Sequence, residues 1–146
     1  MNGLWSWFEK RCEYVKSVDD LLSECDFVVP LCPLNDSTRH MFDASAFAKM
    51  KSSAVFVNAG RGELVDTKAL CDALRNKEIF AAGLDCTDPE PLPVGHELHS
   101  LDNCFIVPHI GSATLKCEQA IVERSVQNLR CALRGLPSLN DVVHFF

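Results

Sequence analysis

The stretch VFVNAGRGELVD, residues 55–66, decides the fold of this chain because it joins an apolar run to a glycine-flanked turn and the start of a helix. The apolar run follows Ser52 and Ser53 and is typical of a strand buried on both faces. A glycine on each side of Arg61 allows positive backbone φ angles, which swing the arginine outward. The stretch therefore predicts a buried strand that ends in an exposed guanidinium group.

Arg61 has two interpretations when this stretch is considered alone. Its planar guanidinium matches a carboxylate through paired hydrogen bonds, so it suits an anion-binding role. Alternatively, it is a surface arginine that caps the carbonyl of a nearby helix. Charged groups at strand ends mark functional sites in only some proteins, so the stretch leaves both interpretations open.

The composition is that of a soluble globular domain, with 47% hydrophobic residues, 23% charged residues and a mean hydropathy of +0.03 over 146 residues. A net charge of -6 and a pI near 5.3 argue against a nucleic-acid surface, which needs a basic face. No apolar run approaches the roughly 20 residues that span a bilayer. Residues 1–7 lack a basic leader, so we expect no signal peptide.

The chain has eight cysteines, which are spread along the sequence with no CxxC pair. Several lie in apolar segments, where a free cysteine behaves as a small hydrophobe. We therefore expect reduced thiols and a cytoplasmic protein rather than a disulfide framework. His96 and His99 share a helical spacing, but no thiolate or carboxylate cluster completes a ligand set, so we expect no metal site.

Apolar runs alternate with helical patterns on both sides of residues 55–66. Such alternation predicts an α/β fold with a parallel sheet covered on both faces. Residues 1–10 have no clear period. The predicted strands begin at Asp26, Ala54, Ala81 and Phe105, with a very short one possible at residues 13–15. The predicted helices begin at Ser17 and Asp43, cover residues 67–76, and run from Ser112 or Thr114 to about Arg134.

The carboxyl ends of parallel strands form one edge of the sheet, where α/β proteins bind their ligands. The residues at these ends are 32–34, 59–61, 85–90 and 109–112. This edge therefore gathers Arg61, Glu90 and His109 from separate loops. The convergence of an arginine, a carboxylate and a histidine is more informative than any one of them.

These three residue types suit the reduction of a 2-keto acid. Arg61 can hold the substrate carboxylate, and His109 can protonate the carbonyl oxygen near neutral pH. Glu90 can hydrogen-bond the imidazole and keep it an acid. The alternatives are that His109 caps the following helix and that Glu90 is a solvated loop carboxylate. Asp85 either fixes a polar group of a cofactor or forms a turn.

Four segments of the chain resemble motifs of the D-isomer-specific 2-hydroxyacid dehydrogenase family. They are CPLNDSTRHMF, VNAGRGELVD, AGLDCTDPEPLP and VPHIGSAT. The resemblance extends over about residues 15–137 and is strongest to the glyoxylate/hydroxypyruvate reductase branch, including 2-ketogluconate reductase-like members. It implies a nucleotide-binding domain of the Rossmann type.

The resemblance also implies residue roles. Arg61, Glu90 and His109 are the expected catalytic residues, and Arg61, His109 and Ser112 the expected substrate contacts. The cofactor implied is NADP or NAD, with NADPH favoured by the branch. The residues expected to line it are Pro33, Ala59, Asp85 and Gly111.

The phosphate-binding motif GxGxxG does not occur in these 146 residues, and no glycine lies between Gly3 and Gly60. The family resembled is more than twice this long. We therefore expect residues 13–111 to form an incomplete NAD(P)-binding domain that lacks its first strands. Residues 1–12 are unassigned, and residues 112–146 form a C-terminal helix and tail that in the family returns to the substrate domain.

The sequence thus predicts part of an oxidoreductase that reduces small 2-keto acids, such as glyoxylate and hydroxypyruvate, to D-2-hydroxy acids. The isolated chain is expected to be weakly active or inactive, because half of the cofactor site is not encoded in it. The alternative is a non-catalytic truncated relative that binds another protein. A homodimer, or a heteromer with a full-length relative, would form through the open edge strand.

Overall fold

A computed structural model describes residues 12–138 of the chain. The described residues fall into two compact units, 12–108 and 109–138. No helix within residues 12–138 has both the length and the apolar character needed to cross a membrane.

The first unit alternates helices and strands, as the sequence predicts. Two short 3₁₀ helices, Gly62–Leu64 and Glu97–Ser100, add to them. The helices of this unit are α1 (Val18–Glu24), α2 (Ala44–Lys49) and α3 (Thr67–Arg75). Its strands are β1 (Phe27–Val28), β2 (Val55–Asn58), β3 (Ala81–Leu84) and β4 (Cys104–Ile106). The prediction of a possible short strand at residues 13–15 is wrong, because this segment has no regular secondary structure.

The four strands form one parallel sheet in the order β1-β2-β3-β4. Val28 lies beside Phe56, and Phe56 lies beside Ala82, which in turn pairs with Cys104. The predicted parallel α/β architecture is therefore confirmed. Among the described residues β1 pairs only with β2, and it is shorter than the predicted run of residues 26–31.

The hydrophobic core lies on one face of this sheet, where Phe56 is fully buried. Its ring packs against Phe42 at 5.0 Å and edge-on against Phe47 of α2 at 5.4 Å, measured between ring centroids. On the other face Phe27 and Phe105 are 68% and 72% exposed. The prediction that both faces of the sheet are covered is thus wrong for the described residues, because the side chains on the face opposite Phe56 remain accessible to solvent.

The helices of the first unit begin at different kinds of N-cap. The carboxylates of Asp43 and Asp66 accept hydrogen bonds from Ala46 N at 2.9 Å and Ala69 N at 3.0 Å. Ser17 precedes α1 as predicted, but its side chain makes no capping hydrogen bond. Two of the three starts are therefore stabilised by side-chain capping.

We expect Asp66→Ala to destabilise the chain by about 1 kcal/mol, because Ala69 N loses its hydrogen-bond acceptor at the start of α3. Ser17→Ala is the matched control, since Ser17 occupies the same position without making that bond. Urea unfolding followed by circular dichroism measures both variants. Equal losses for the two variants would contradict the capping role of Asp66.

The second unit contains α4, Leu115–Leu133. Thr114 caps its start by accepting a hydrogen bond from Cys117 N at 3.2 Å, and the chain leaves the helix at Gly135 with φ of +66°. None of its residues is buried. Its large apolar side chains are exposed, from 42% at Val126 to 80% at Leu133.

Candidate active site

Arg61 lies in the turn after β2, and the backbone of this turn is held by hydrogen bonds. The side-chain oxygen of Asn58 accepts a hydrogen bond from Gly60 N at 3.0 Å. Its side-chain nitrogen donates to the carbonyl oxygen of Arg61 at 2.8 Å. Asn58 is 1% exposed, so these bonds are shielded from water. The turn that carries the arginine is therefore held from inside the protein.

The glycines of this turn serve a different purpose from the one predicted. Neither Gly60 nor Gly62 has a positive φ, so the expectation of left-handed backbone is wrong. A Cβ atom on Gly62 would lie 2.0 Å from the carbonyl oxygen of Thr87. One on Gly60 would lie 3.3 Å from the carbonyl oxygen of Pro30. Gly62 is needed because the loops after β2 and β3 touch through their backbones, and Gly60 allows a close approach of the loop after β1.

The loop after β3 is attached to this turn by several hydrogen bonds. Asp85 N donates to the main-chain oxygen of Asn58 at 2.9 Å, and the Cys86 thiol donates to the Gly60 carbonyl at 3.3 Å. The Thr67 hydroxyl at the start of α3 donates to the carbonyl of Asp88 at 2.7 Å. The loop that carries Glu90 is therefore anchored on both sides of Thr87.

The guanidinium of Arg61 lies at the surface. Its Nη1 donates to the carbonyl of Gly60 at 2.8 Å. Gly60 belongs to the turn rather than to a helix, so the interpretation of Arg61 as a helix cap is wrong. Arg61 makes no ion pair with a residue between 12 and 138. Its remaining N–H groups can therefore bind an anion.

The end of β1 supplies the next part of the same edge. Thr38 donates its hydroxyl hydrogen bond to the carbonyl of Pro33 at 2.7 Å and accepts one from Asn35 N at 2.9 Å. These bonds close the loop that contains Pro33. The first unit thus places the loops of Pro33, Ala59 and Asp85 together, as predicted for parallel strands.

His109, Gly111 and Ser112 belong to the second unit, in the turn before α4. His109 is exposed and has a positive φ of 52°. The N-cap of α4 is Thr114, so the alternative in which His109 caps this helix is wrong. Glu90 is exposed in the loop after β3. The expected catalytic residues are thus divided between two units, with Arg61 and Glu90 in the first.

The sequence analysis missed Asn58 and Thr67, which brace the edge without carrying charge. The sequence signal for Asn58 was its position at the end of an apolar run, because a polar side chain at the end of a buried strand requires internal hydrogen-bond partners. Thr67 had no distinguishing signal. A threonine in the first turn of a helix is common whether or not its hydroxyl reaches another loop.

None of the eight cysteines, which all lie within the described residues, is in a disulfide, and three of them have a raised pKa. Burial raises the pKa of Cys71 to about 12 and that of Cys104 to about 11. Burial also raises the pKa of Cys86 beside the Arg61 turn, and the carboxylates of Glu90 and Asp85 add to this effect. These thiols remain protonated at neutral pH.

We expect iodoacetamide at about pH 8 to alkylate exposed Cys117 at least about tenfold faster than Cys71 or Cys86, because the thiolate is the reacting form. Peptide mass spectrometry measures each rate, and unfolding in urea is the control that should equalise them. Comparable rates in the folded chain would show that these buried thiols are accessible.

Residues 6–111 match the D-isomer specific 2-hydroxyacid dehydrogenase, NAD binding domain. The chain therefore belongs to the D-isomer specific 2-hydroxyacid dehydrogenase family, which confirms the resemblance seen in its motifs. It is 52% identical over 125 residues to glyoxylate/hydroxypyruvate reductase B of Escherichia fergusonii, and equally similar to that of Salmonella newport. This match covers 86% of the chain but 39% of each relative.

Solved structures agree with this assignment. A glyoxylate reductase from Paecilomyes thermophila matches with a TM-score of 0.86 and 35% identity, over 97% of this chain and 43% of that one. The NADPH-dependent glyoxylate/hydroxypyruvate reductase of Sinorhizobium meliloti, in complex with NADP and malonate, has a TM-score of 0.82 and 30% identity, over 89% of this chain and 40% of that one. The chain thus spans about two fifths of the length of its relatives.

The sheet edge fits part of a nicotinamide dinucleotide. The loops after β1 and β2 approach each other at backbone level near Gly60, and the backbone N–H of Asp85 bonds to Asn58 beside them. Such a lining suits hydrogen bonding to an uncharged ring amide. The described residues contain no glycine-rich turn of the GxGxxG type that would cradle the pyrophosphate. The described residues therefore do not supply the turn that holds the pyrophosphate of a dinucleotide.

Proposed function

We propose that this chain is the C-terminal part of an NAD(P)H-dependent reductase that converts small 2-keto acids, such as glyoxylate and hydroxypyruvate, to D-2-hydroxy acids. The observation that carries the proposal is the exposed guanidinium of Arg61, which forms no ion pair within residues 12–138 and lies on a braced turn at the carboxyl edge of the sheet. The names of the relatives that are 52% identical support the proposed substrate class.

The residues divide the chemistry between them. Arg61 binds the substrate carboxylate through its fork of N–H groups and polarises the adjacent carbonyl. His109 donates the proton that the carbonyl oxygen takes up on reduction. Glu90 accepts a hydrogen bond from the imidazole of His109, orients it and favours its protonated form. Ser112 is the remaining substrate contact. The reduced nicotinamide supplies the hydride when it is bound.

Pro33, Ala59, Asp85 and Gly111 are proposed to line the cofactor. The S. meliloti relative is described as NADPH-dependent, and this supports NADPH ahead of NADH. The proposal retains the division into an incomplete NAD(P)-binding domain at residues 13–111 and a C-terminal helix and tail at residues 112–146. It also includes a cytoplasmic location, which eight cysteines outside any disulfide support.

The purified chain is expected to bind NADPH weakly and to reduce hydroxypyruvate slowly or not at all, because its sequence contains no GxGxxG motif to hold the pyrophosphate. Titration followed by nucleotide fluorescence, with hydroxypyruvate or glyoxylate then added, measures both properties. The same assay is applied to an exchange protein, in which this chain replaces the matching segment of the E. fergusonii reductase. The exchange protein should oxidise NADPH with either substrate. A folded exchange protein that binds NADPH without turnover would refute the proposal.

The alternative function is that of a non-catalytic partner of a full-length relative. The observations that favour it are the open edge of β1 and the exposed apolar face of α4. Co-expression with the E. fergusonii reductase, followed by size-exclusion chromatography, tests it. Co-elution in a fixed ratio would support the alternative, whereas separate elution at micromolar concentrations would exclude a stable heteromer with that relative.

A further inference from the structure

Asn58 is the one buried polar residue in the described part of the chain. It ends β2, where the chain turns toward Arg61. Buried polar groups persist in proteins when internal hydrogen bonds satisfy them. The partners of Asn58 therefore show what a polar side chain achieves at this position.

Both polar atoms of the Asn58 side chain form hydrogen bonds with the main chain of the Arg61 turn. The amide oxygen accepts from Gly60 N and the amide nitrogen donates to the Arg61 carbonyl. The main-chain oxygen of Asn58 accepts from Asp85 N at 2.9 Å. One residue thus closes the turn at both ends and joins it to the loop after β3.

The side chain of Arg61 depends on this turn. Its Nη1 donates to the carbonyl of Gly60, whose own N–H is held by Asn58. A shift in the backbone of residue 60 would therefore move the acceptor that orients the guanidinium. Leu64 N also donates to the Arg61 carbonyl, at 3.2 Å, so the turn leads directly into the following 3₁₀ helix.

We propose that Asn58 is a positioning residue that sets where Arg61 presents its guanidinium, by binding the main chain on both sides of it. The functional meaning of this inference rests on the proposed carboxylate-binding role of Arg61. The geometric part concerns the turn itself and holds for the chain with or without substrate.

Asn58→Asp is the sharpest variant, because it retains the acceptor for Gly60 N and removes the donor to the Arg61 carbonyl. Trypsin cleaves after arginine, and in the native chain the Arg61–Gly62 bond is protected because Gly62 is buried against Thr87. We expect the variant to be cleaved there at least about tenfold faster near pH 8, while cleavage after Arg75 stays within about twofold. Arg75 is the internal control, since global unfolding exposes both bonds.

A pH titration separates positioning from a general structural defect. Protonation restores a donor to the introduced carboxyl group, which then again bonds the Arg61 carbonyl. The ¹H–¹⁵N signal of Gly60 in Asn58→Asp should therefore move to its wild-type position as the pH falls from about 8 to about 4. The wild-type signal should not titrate over that range.

Equal acceleration of cleavage at Arg61 and Arg75 would overturn the inference, because it would show only lost stability. Unchanged cleavage at Arg61, or a Gly60 signal that does not return at low pH, would also overturn it. Asn58→Ala removes both bonds and should release Arg61 more completely; if it does not fold, Asn58→Asp alone decides. Neither measurement uses turnover, so failure here is distinct from failure of the reductase proposal.

Discussion

Gly62→Ala is expected to destabilise the chain by about 3 kcal/mol and to separate the loop of Arg61 from the loop of Glu90. The added Cβ atom would lie 2.0 Å from Thr87 O, 2.2 Å from Thr87 C and 2.7 Å from Asp88 N. All three are backbone atoms, so no side-chain rotation relieves the overlap. Urea unfolding monitored by circular dichroism gives the loss in stability.

Gly83→Ala is the matched control for this prediction. Gly83 lies in β3, and a Cβ atom there would be 3.9 Å from the methyl groups of Val57, an ordinary contact. We expect that variant to be neutral or more stable by about 0.5–1 kcal/mol, because alanine loses less backbone entropy than glycine in a strand. Similar stabilities for Gly62→Ala and the wild type would contradict the close backbone contact.

Phe56→Ala has the second large expected effect, a loss of about 3–5 kcal/mol. Phe56 is fully buried in β2 and its ring contacts both Phe42 and Phe47. Removing the ring leaves a cavity between the sheet and α2, in the same strand that ends at Asn58. Urea unfolding should therefore show a lower midpoint for the whole chain.

Phe105→Ala tests whether the size of that effect comes from burial. Phe105 is an aromatic residue in a strand of the same sheet, but it is 72% exposed. We expect the loss there to stay within about 0.5 kcal/mol. A loss as large as that of Phe56→Ala would show that the exposed face of the sheet is covered in solution.

The order of helices and strands was predictable because each element has a local signal. Continuous apolar runs identified β2, β3 and β4, and Asp43 marked the start of a helix. The exposure of Phe27 was not predictable in this way. A continuous apolar run is the same in a strand covered on both faces and in one covered on a single face.

The candidate site was predictable to the level of loops. Strand ends located Arg61, Asp85 and Glu90 at one edge, because the sheet is parallel. The reason for Gly62 was not predictable, since contact with Thr87 brings together residues that are distant in sequence. The sequence shows that a glycine is present but does not show whether its φ angle or its lack of a side chain is required.

The central claim is that Arg61 binds the carboxylate of a 2-keto acid. The most direct test is kcat/KM for NADPH-dependent hydroxypyruvate reduction by the exchange protein, compared with its Arg61→Lys variant. We expect kcat/KM to fall at least about 100-fold for Arg61→Lys, with NADPH affinity unchanged, because an ammonium cannot bind a carboxylate through two parallel hydrogen bonds. A kcat/KM within about threefold of the unmodified exchange protein would contradict the claim.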